Sequence, residues 1–391
     1  MKFSPTAKCP GWLIVVAVSG GFLCSTANAV AQNGTWTNVA SMSIAGVEAS
    51  GLAYGGQFYV MGAAANGSIQ PPQVYDPLTD TWSAKAADPA GRSVLAAGVI
   101  SNKIYTAEGW INSDANAATT TLEIYDPALN SWTAGANSLV ARGQSAAAVI
   151  GGKLYITGGN ASFAGGDIAT LEIYDANANA WSTGAPIPVP SEGAVGAAIN
   201  GKFYVVGGGV RPAGGGVQPD PATASVFIYD PAGDAWKTGA PMPSPRASAV
   251  GGVINGKLYI TGGTASNGTN NPVFVYDPAA DSWSMAAAEP MPRALGAAAA
   301  LGGKLFVTGG YDTNSTPTTL TEVFTPAPSL TIASVGNQSV LFWPVSGTNY
   351  ILQSTTNLAS SNWVTASDAM PVIAFTVTNS SPGRFFRLQA Q

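Results

Sequence analysis

Four arginines share one register in this chain. Arg92, Arg142, Arg246 and Arg293 each stand eleven residues ahead of a lysine: Lys103, Lys153, Lys257 and Lys304. A guanidinium presents a planar fork of donors, so four brought together could hold a carboxylate or an acidic sugar bidentately. The alternative is that each arginine ties neighbouring structural units together. Two glutamates depart from the pattern. Ser191-Glu192 occupies the place of a further arginine, and Glu108 replaces the first glycine of a recurring pair and precedes Gly109-Trp110. Glu108 and Glu192 are therefore the candidates for a catalytic acid or base, with Trp110 as a stacking platform for a sugar. Drift within a repeat accounts for the same departures. Loops are the other places to look for function. Arg211 and Asp220 fall in the loop 209–225, and Tyr311-Asp312 opens another.

Several chemistries are excluded. The chain has no histidine, which removes Ser-His-Asp and Cys-His nucleophile systems and His-ligated metal sites. No cofactor and no metal are expected. With 9% charged and 46% hydrophobic residues the chain is not of disordered composition. Its 47 glycines and 27 prolines oppose a helical bundle. An isoelectric point near 4.7 speaks against nucleic-acid binding, which needs clustered Lys and Arg.

The first 29 residues read as an export signal. Lys2 and Lys8 precede an apolar run, Trp12 to Leu23, too short for a stable membrane anchor. Ala27-Asn28-Ala29 supplies a small-x-small cleavage pattern before Val30. Both cysteines, Cys9 and Cys24, lie inside this segment, so a processed chain would have neither a disulfide nor a cysteine nucleophile. A secreted, periplasmic or cell-surface location follows, with no membrane span in the remainder.

The elements that must position these residues come from an internal repeat. Trp36, Trp82, Trp132, Trp181, Trp236 and Trp283 are spaced by 46, 50, 49, 55 and 47 residues. A Tyr-Asp pair recurs at 75–76, 125–126, 174–175, 229–230 and 276–277, and LYITGG stands at both 154–159 and 258–263. Each unit reads as four short strands, with a Gly-Lys turn such as Gly152-Lys153 and an Asp-Pro-x-x-Asp/Asn-x-Trp turn. Those turns superficially resemble calcium loops but lack the closing glutamate. The in-register acids Glu123, Glu172 and Glu322 are expected on the solvated face of a strand.

In these features the stretch from about 33 to 327 resembles the kelch-repeat β-propellers. The resemblance implies an all-β fold with radial four-stranded blades, arginines and post-glycine loops on a binding face, and equivalent residues at one height around an axis. The last unit ends at EVFTP (322–326) without a tryptophan, while Trp36 stands in a strand with no unit before it. A six-bladed ring closed by the N-terminal strand is therefore expected, over a domain of residues 30–327. After the hinge Thr325-Pro326-Ala327-Pro328, residues 328–391 show period-2 alternation and read as a small β-sandwich-like domain. The stretch from Tyr350 to Phe385-Phe386-Arg387 resembles C-terminal β modules of secreted bacterial proteins.

Two function classes remain. The first is a secreted binding or interaction protein, monomeric, presenting propeller loops to an extracellular glycan or protein, with carbohydrate binding or protein binding at Arg92, Arg142, Arg246, Arg293, Trp110, Arg211, Tyr311 and Asp312. The second is a metal-independent sugar-acting enzyme of the kind represented by the sialic-acid mutarotases, also six-bladed kelch proteins. Galactose oxidase resembles the architecture, but its copper site needs histidines and a Tyr-Cys crosslink.

Overall fold

The computed structural model describes residues 16–18, 34–112, 117–162, 166–210, 221–264 and 272–327, together with six later strands. Those strands are Thr331–Val335, Gln338–Phe342, Tyr350–Thr355, Val364–Thr365, Ala374–Thr378 and Arg384–Ala390. The chain divides into two compact units, Thr35–Thr325 and Met1–Gly34 with Pro326–Gln391. The described residues contain no helix, hence none long and apolar enough to cross a membrane.

The larger unit is a ring of six antiparallel four-stranded sheets. The innermost strands are Ser50–Tyr54, Ala96–Ile100, Ala146–Ile150, Val195–Ile199, Ala247–Ile254 and Ala297–Leu301, which we number blades 1 to 6. Each lies beside the next, and the last beside the first. Blade 6 takes its outer strand, Thr35–Val39, from the other end of the unit, with Trp36 opposite Phe324. The expected closure is what the chain adopts. It leaves no unpaired edge where the ring begins and ends.

Small residues dominate the innermost strands because six sheets converge there. A Cβ on Gly51 would lie 2.4 Å from the Ala298 carbonyl oxygen, and one on Gly196 2.4 Å from that of Ala147. Further out, apolar side chains fill the wedge between each pair of adjacent blades. Tyr125 and Tyr174 are among the fully buried side chains.

The tryptophans clasp the outer edge. Each is half-buried, and its indole N–H donates to a carbonyl on the chain leaving the preceding blade. Trp82 reaches Ala40 at 2.7 Å, Trp132 reaches Ala86 at 2.8 Å and Trp36 completes the circuit on Ala287 at 3.0 Å. The second acid or amide of each turn serves the same seam. Asn130 Oδ1 accepts from the Ala86 N–H at 2.9 Å and from the Tyr125 hydroxyl at 2.7 Å. Asp80, Asn179, Asp234 and Asp281 repeat this arrangement, all at positive φ, where Asn and Asp are tolerated best. The first Asp caps the turn as expected, Asp76 Oδ1 accepting from the Leu78 N–H at 2.8 Å.

In the smaller unit Thr331–Val335, Gln338–Phe342 and Ala374–Thr378 form a three-stranded antiparallel sheet. A second sheet joins Val364–Thr365, Tyr350–Thr355 and Arg384–Ala390. Val16–Val18, inside the apolar stretch read as an export signal, pairs with Arg384 to Phe386 on that sheet's far side.

Candidate functional site

The chain entering each innermost strand makes the same left-handed step. Glu48, Val94, Gln144, Gly193, Ser248 and Leu295 occupy equivalent positions in blades 1 to 6, with φ between 45° and 61°. Their backbones are hydrogen-bonded head to tail in a closed circle. The Val94 N–H donates to Glu48, Gln144 to Val94, Gly193 to Gln144, Ser248 to Gly193, Leu295 to Ser248 and Glu48 to Leu295, at 2.7–3.1 Å. A side chain here costs backbone strain, for which Val94 is the extreme case. All six residues, Gly193 without a side chain, line the cavity on the axis.

An axial cavity of about 200 Å³ is bounded by this belt and by Ser50, Gly51, Ala97, Ser145, Ala147, Gly196 and their neighbours on the innermost strands. Glu48 is the one ionisable residue among those lining it. It is half-buried, and its carboxylate accepts from the Ser93 hydroxyl at 3.1 Å. Burial pushes its pKa up, and the Ser93 bond only partly opposes this. Tyr311 is close enough for the Glu48 charge to add to the upward shift that burial imposes on its phenol. Among the described loop candidates, Tyr311 is thus within electrostatic reach of Glu48. Glu48 was missed by reading the repeat only at the arginine register, where blade 1 has Gly46; the signal lay two residues further on.

The arginines do not line the mouth. Arg92, Arg142 and Arg293 are fully buried and Arg246 is 3% exposed. Each guanidinium turns into its own blade and donates to the carbonyl of the first residue of the glycine pair: Arg92 to Glu108 at 3.0 Å, Arg142 to Gly158 at 3.1 Å, Arg246 to Gly262 at 2.8 Å and Arg293 to Gly309 at 3.2 Å. In blade 4 the Ser191 hydroxyl reaches the corresponding Gly207 carbonyl at 3.4 Å. Two of the acids expected in solvent are counter-ions, whereas Arg92 pairs with Asp88 at 3.1 Å. Glu172 and Glu322 are buried and bonded to Arg142 and Arg293, and buried Glu123 acts electrostatically on Arg92. Arg246, which has Phe274 at that position, lies with its guanidinium carbon 4.3 Å from the ring centroid, and burial pushes its pKa down to about 10. Ligand contact by these four residues is therefore replaced by an internal structural role.

The two candidate acids also separate. Glu108 is completely buried at positive φ, 3.4 Å from Arg142 Nε, with the Ser145 hydroxyl 3.4 Å from its other oxygen. Desolvation is the largest influence on it and the Glu172 charge adds to that, raising its pKa to about 8 against the pull of Arg142. It is a sealed group, not one facing substrate. Glu192 is half-buried and accepts from the Asn160 side chain of blade 3. Trp110 is 2% exposed and lies against Gly143 of the next blade, where a Cβ would approach its Nε1 to 2.4 Å. It is packing, not an open platform. Asp312 caps its own loop by accepting from the Asn314 and Thr316 N–H groups, both at 2.8 Å. Arg211 and Asp220 lie outside the described residues. Among the described residues no three His, Cys, Asp or Glu side chains are grouped to hold a metal ion.

The Kelch motif matches residues 141–188, 191–243 and 245–288, which span blades 3, 4 and 5. A stretch of 43 residues is 49% identical to the Homo sapiens "Kelch repeat and BTB domain-containing protein 12", covering 10% of this chain and only 7% of that protein's length. The structure of YjhT superposes with a TM-score of 0.61 at 17% identity, over 79% of this chain and 97% of that one, a likeness of fold alone. The chain thus carries three consecutive Kelch motifs within a six-bladed β-propeller.

Proposed function

We propose that this protein is an exported binding module that engages an extracellular protein or glycan with the end of the propeller carrying the axial belt. One observation carries the reading. Six identical backbone positions, locked in a closed hydrogen-bonded circle, present a carboxylate, a carboxamide, a hydroxyl, two aliphatic groups and a glycine around one cavity. Repetition fixes the frame, and the side chains on it are individual. With the four in-register arginines buried, no guanidinium among the described residues lines the cavity, so an acidic ligand loses its support here. The test is a thermal-shift panel of neutral sugars, acidic sugars and short peptides on the full chain and on a Gln144→Ala/Ser248→Ala variant. A ligand that stabilises the native chain and not the variant is expected. Stabilisation unchanged by the double substitution would move the site elsewhere.

A second reading rests on Glu48 itself. A carboxyl group with a raised pKa, held by a hydroxyl at a cavity, suits proton transfer to and from a neutral sugar without a metal, as in a mutarotase-like epimerase. Catalysed anomer exchange, read by NMR and abolished by Glu48→Gln, would establish it; stabilisation without faster exchange would leave the binder.

A further inference from the structure

Glu48 lines the axial cavity without the arginine that several buried carboxylates of the ring have beside them. Glu172, Glu289 and Glu322 are each bonded to an arginine, and Glu108 lies 3.4 Å from one. Glu48 has only the Ser93 hydroxyl, with no lysine or arginine among the described residues in contact with it. Burial without a cation is the costly state for a carboxylate, and an incoming cation relieves it.

We propose that the axial cavity is a socket for one lysine side chain of a protein partner, with Glu48 as counter-ion to its ammonium group. The inference rests on the binding-module reading and names its ligand. Size, lining and charge support it. A cavity of about 200 Å³ is below the ~300–1,000 Å³ of typical small-molecule pockets and suits a single extended side chain. Its walls are mainly alanine, glycine, Val250 and Leu295, which accept methylenes, while Gln144 and Ser248 at the belt offer oxygen acceptors. A compact ammonium on a linear stem fits so small a cavity better than a planar guanidinium. The chain also carries 21 acids against 16 Lys and Arg, a net charge of −5 that favours encounter with a basic partner.

The experiment uses Nα-acetyl-lysine methyl amide as probe, its Nε-acetylated form as the neutral control and the arginine analogue as the competitor in shape. Binding is followed by NMR titration of the full chain at pH 8. Binding of the lysine probe is expected in the millimolar range, at least tenfold weaker for the Nε-acetylated form and for Glu48→Gln, and weaker as pH falls and Glu48 is protonated. Gln144→Lys, which supplies an ammonium from the belt itself, should block the probe while retaining the native melting transition. Equal binding of the acetylated probe, unchanged binding by Glu48→Gln, preference for the arginine analogue, or no binding to the native chain would each overturn the lysine assignment. In that case a ligand from the wider panel that is lost with Gln144→Ala/Ser248→Ala would still leave the binding-module reading standing.

Discussion

The outer edge of the ring and the mouth of its axis follow opposite rules. At the edge, the same residues do the same work six times: a tryptophan N–H reaches back to the preceding blade, and in five blades a Tyr hydroxyl and an Asp or Asn oxygen join it. At the mouth, the backbone repeats and the side chains do not. Between them lies the arginine layer, present in four blades and replaced by Gly46 and Ser191 in the others. Every seam must dock an identical neighbour, so the edge cannot vary. The axis has one centre shared by all blades, where six different residues meet. Repetition marks architecture, and its loss around a common axis marks where function can be written.

That contrast can be broken or sharpened by experiment, starting with the largest effect. Deleting residues 34–40 removes the outer strand of blade 6 and the Trp36 clasp, and exposes the Thr321–Thr325 edge. Loss of the cooperative melt and aggregation in light scattering are expected; a truncated chain that melts as before would show that closure is dispensable. Arg293→Ala leaves Glu289 and Glu322 buried without their cation and should cost about 3–5 kcal/mol in denaturant unfolding. Trp181→Ala removes a repeated clasp and should cost about 3 kcal/mol by the same measurement. An unchanged midpoint would remove the distinction between edge and mouth.

The buried acids give a pH dependence with a definite sign. Burial raises Glu108 to about 8 and Glu289 to about 7 from 4.5, so between these limits the folded chain binds protons that the unfolded chain has released. These groups therefore make stability fall as pH rises from about 4.5 toward 8. Glu108→Gln, neutral at every pH, should flatten the upper part of that decline and be more stable than the native chain above pH 8 by at least about 1 kcal/mol. A parallel pH profile for the two proteins would contradict the assignment. The smallest effect belongs to the mouth: Gln144→Ala should change stability by less than about 0.5 kcal/mol while weakening ligand binding. A large loss there would show that the belt side chains are architectural after all.

Much of the architecture was legible in the residues. The spacing of Trp and Tyr-Asp defined the units, and Trp36 without a preceding unit, set against a last unit without a tryptophan, located the closure that pairs Trp36 with Phe324. A neighbour of each arginine was also present in the sequence, two residues before the Tyr position or its counterpart, although the ion-pair partner of Arg92 is Asp88. Glu123, Glu172, Phe274 and Glu322 accompany an arginine, whereas blades 1 and 4, which lack it, have Gln73 and Phe227. Strand alternation says which residues share a face but not which face is buried. Isolated charges are costly to bury, so the glutamates read as solvated until their cations were seen beside them.

What the chain determines by itself is local and periodic: strands, turns and the repeat follow from the order of neighbouring residues, because backbone sterics and side-chain alternation act over a few positions. The fate of the arginines and the gathering of Glu48, Gln144 and Ser248 about one cavity were decided only by tertiary structure. Glu48, Gln144 and Ser248 lie 96 and 104 positions apart, and nothing short of the closed ring brings them to a single cavity.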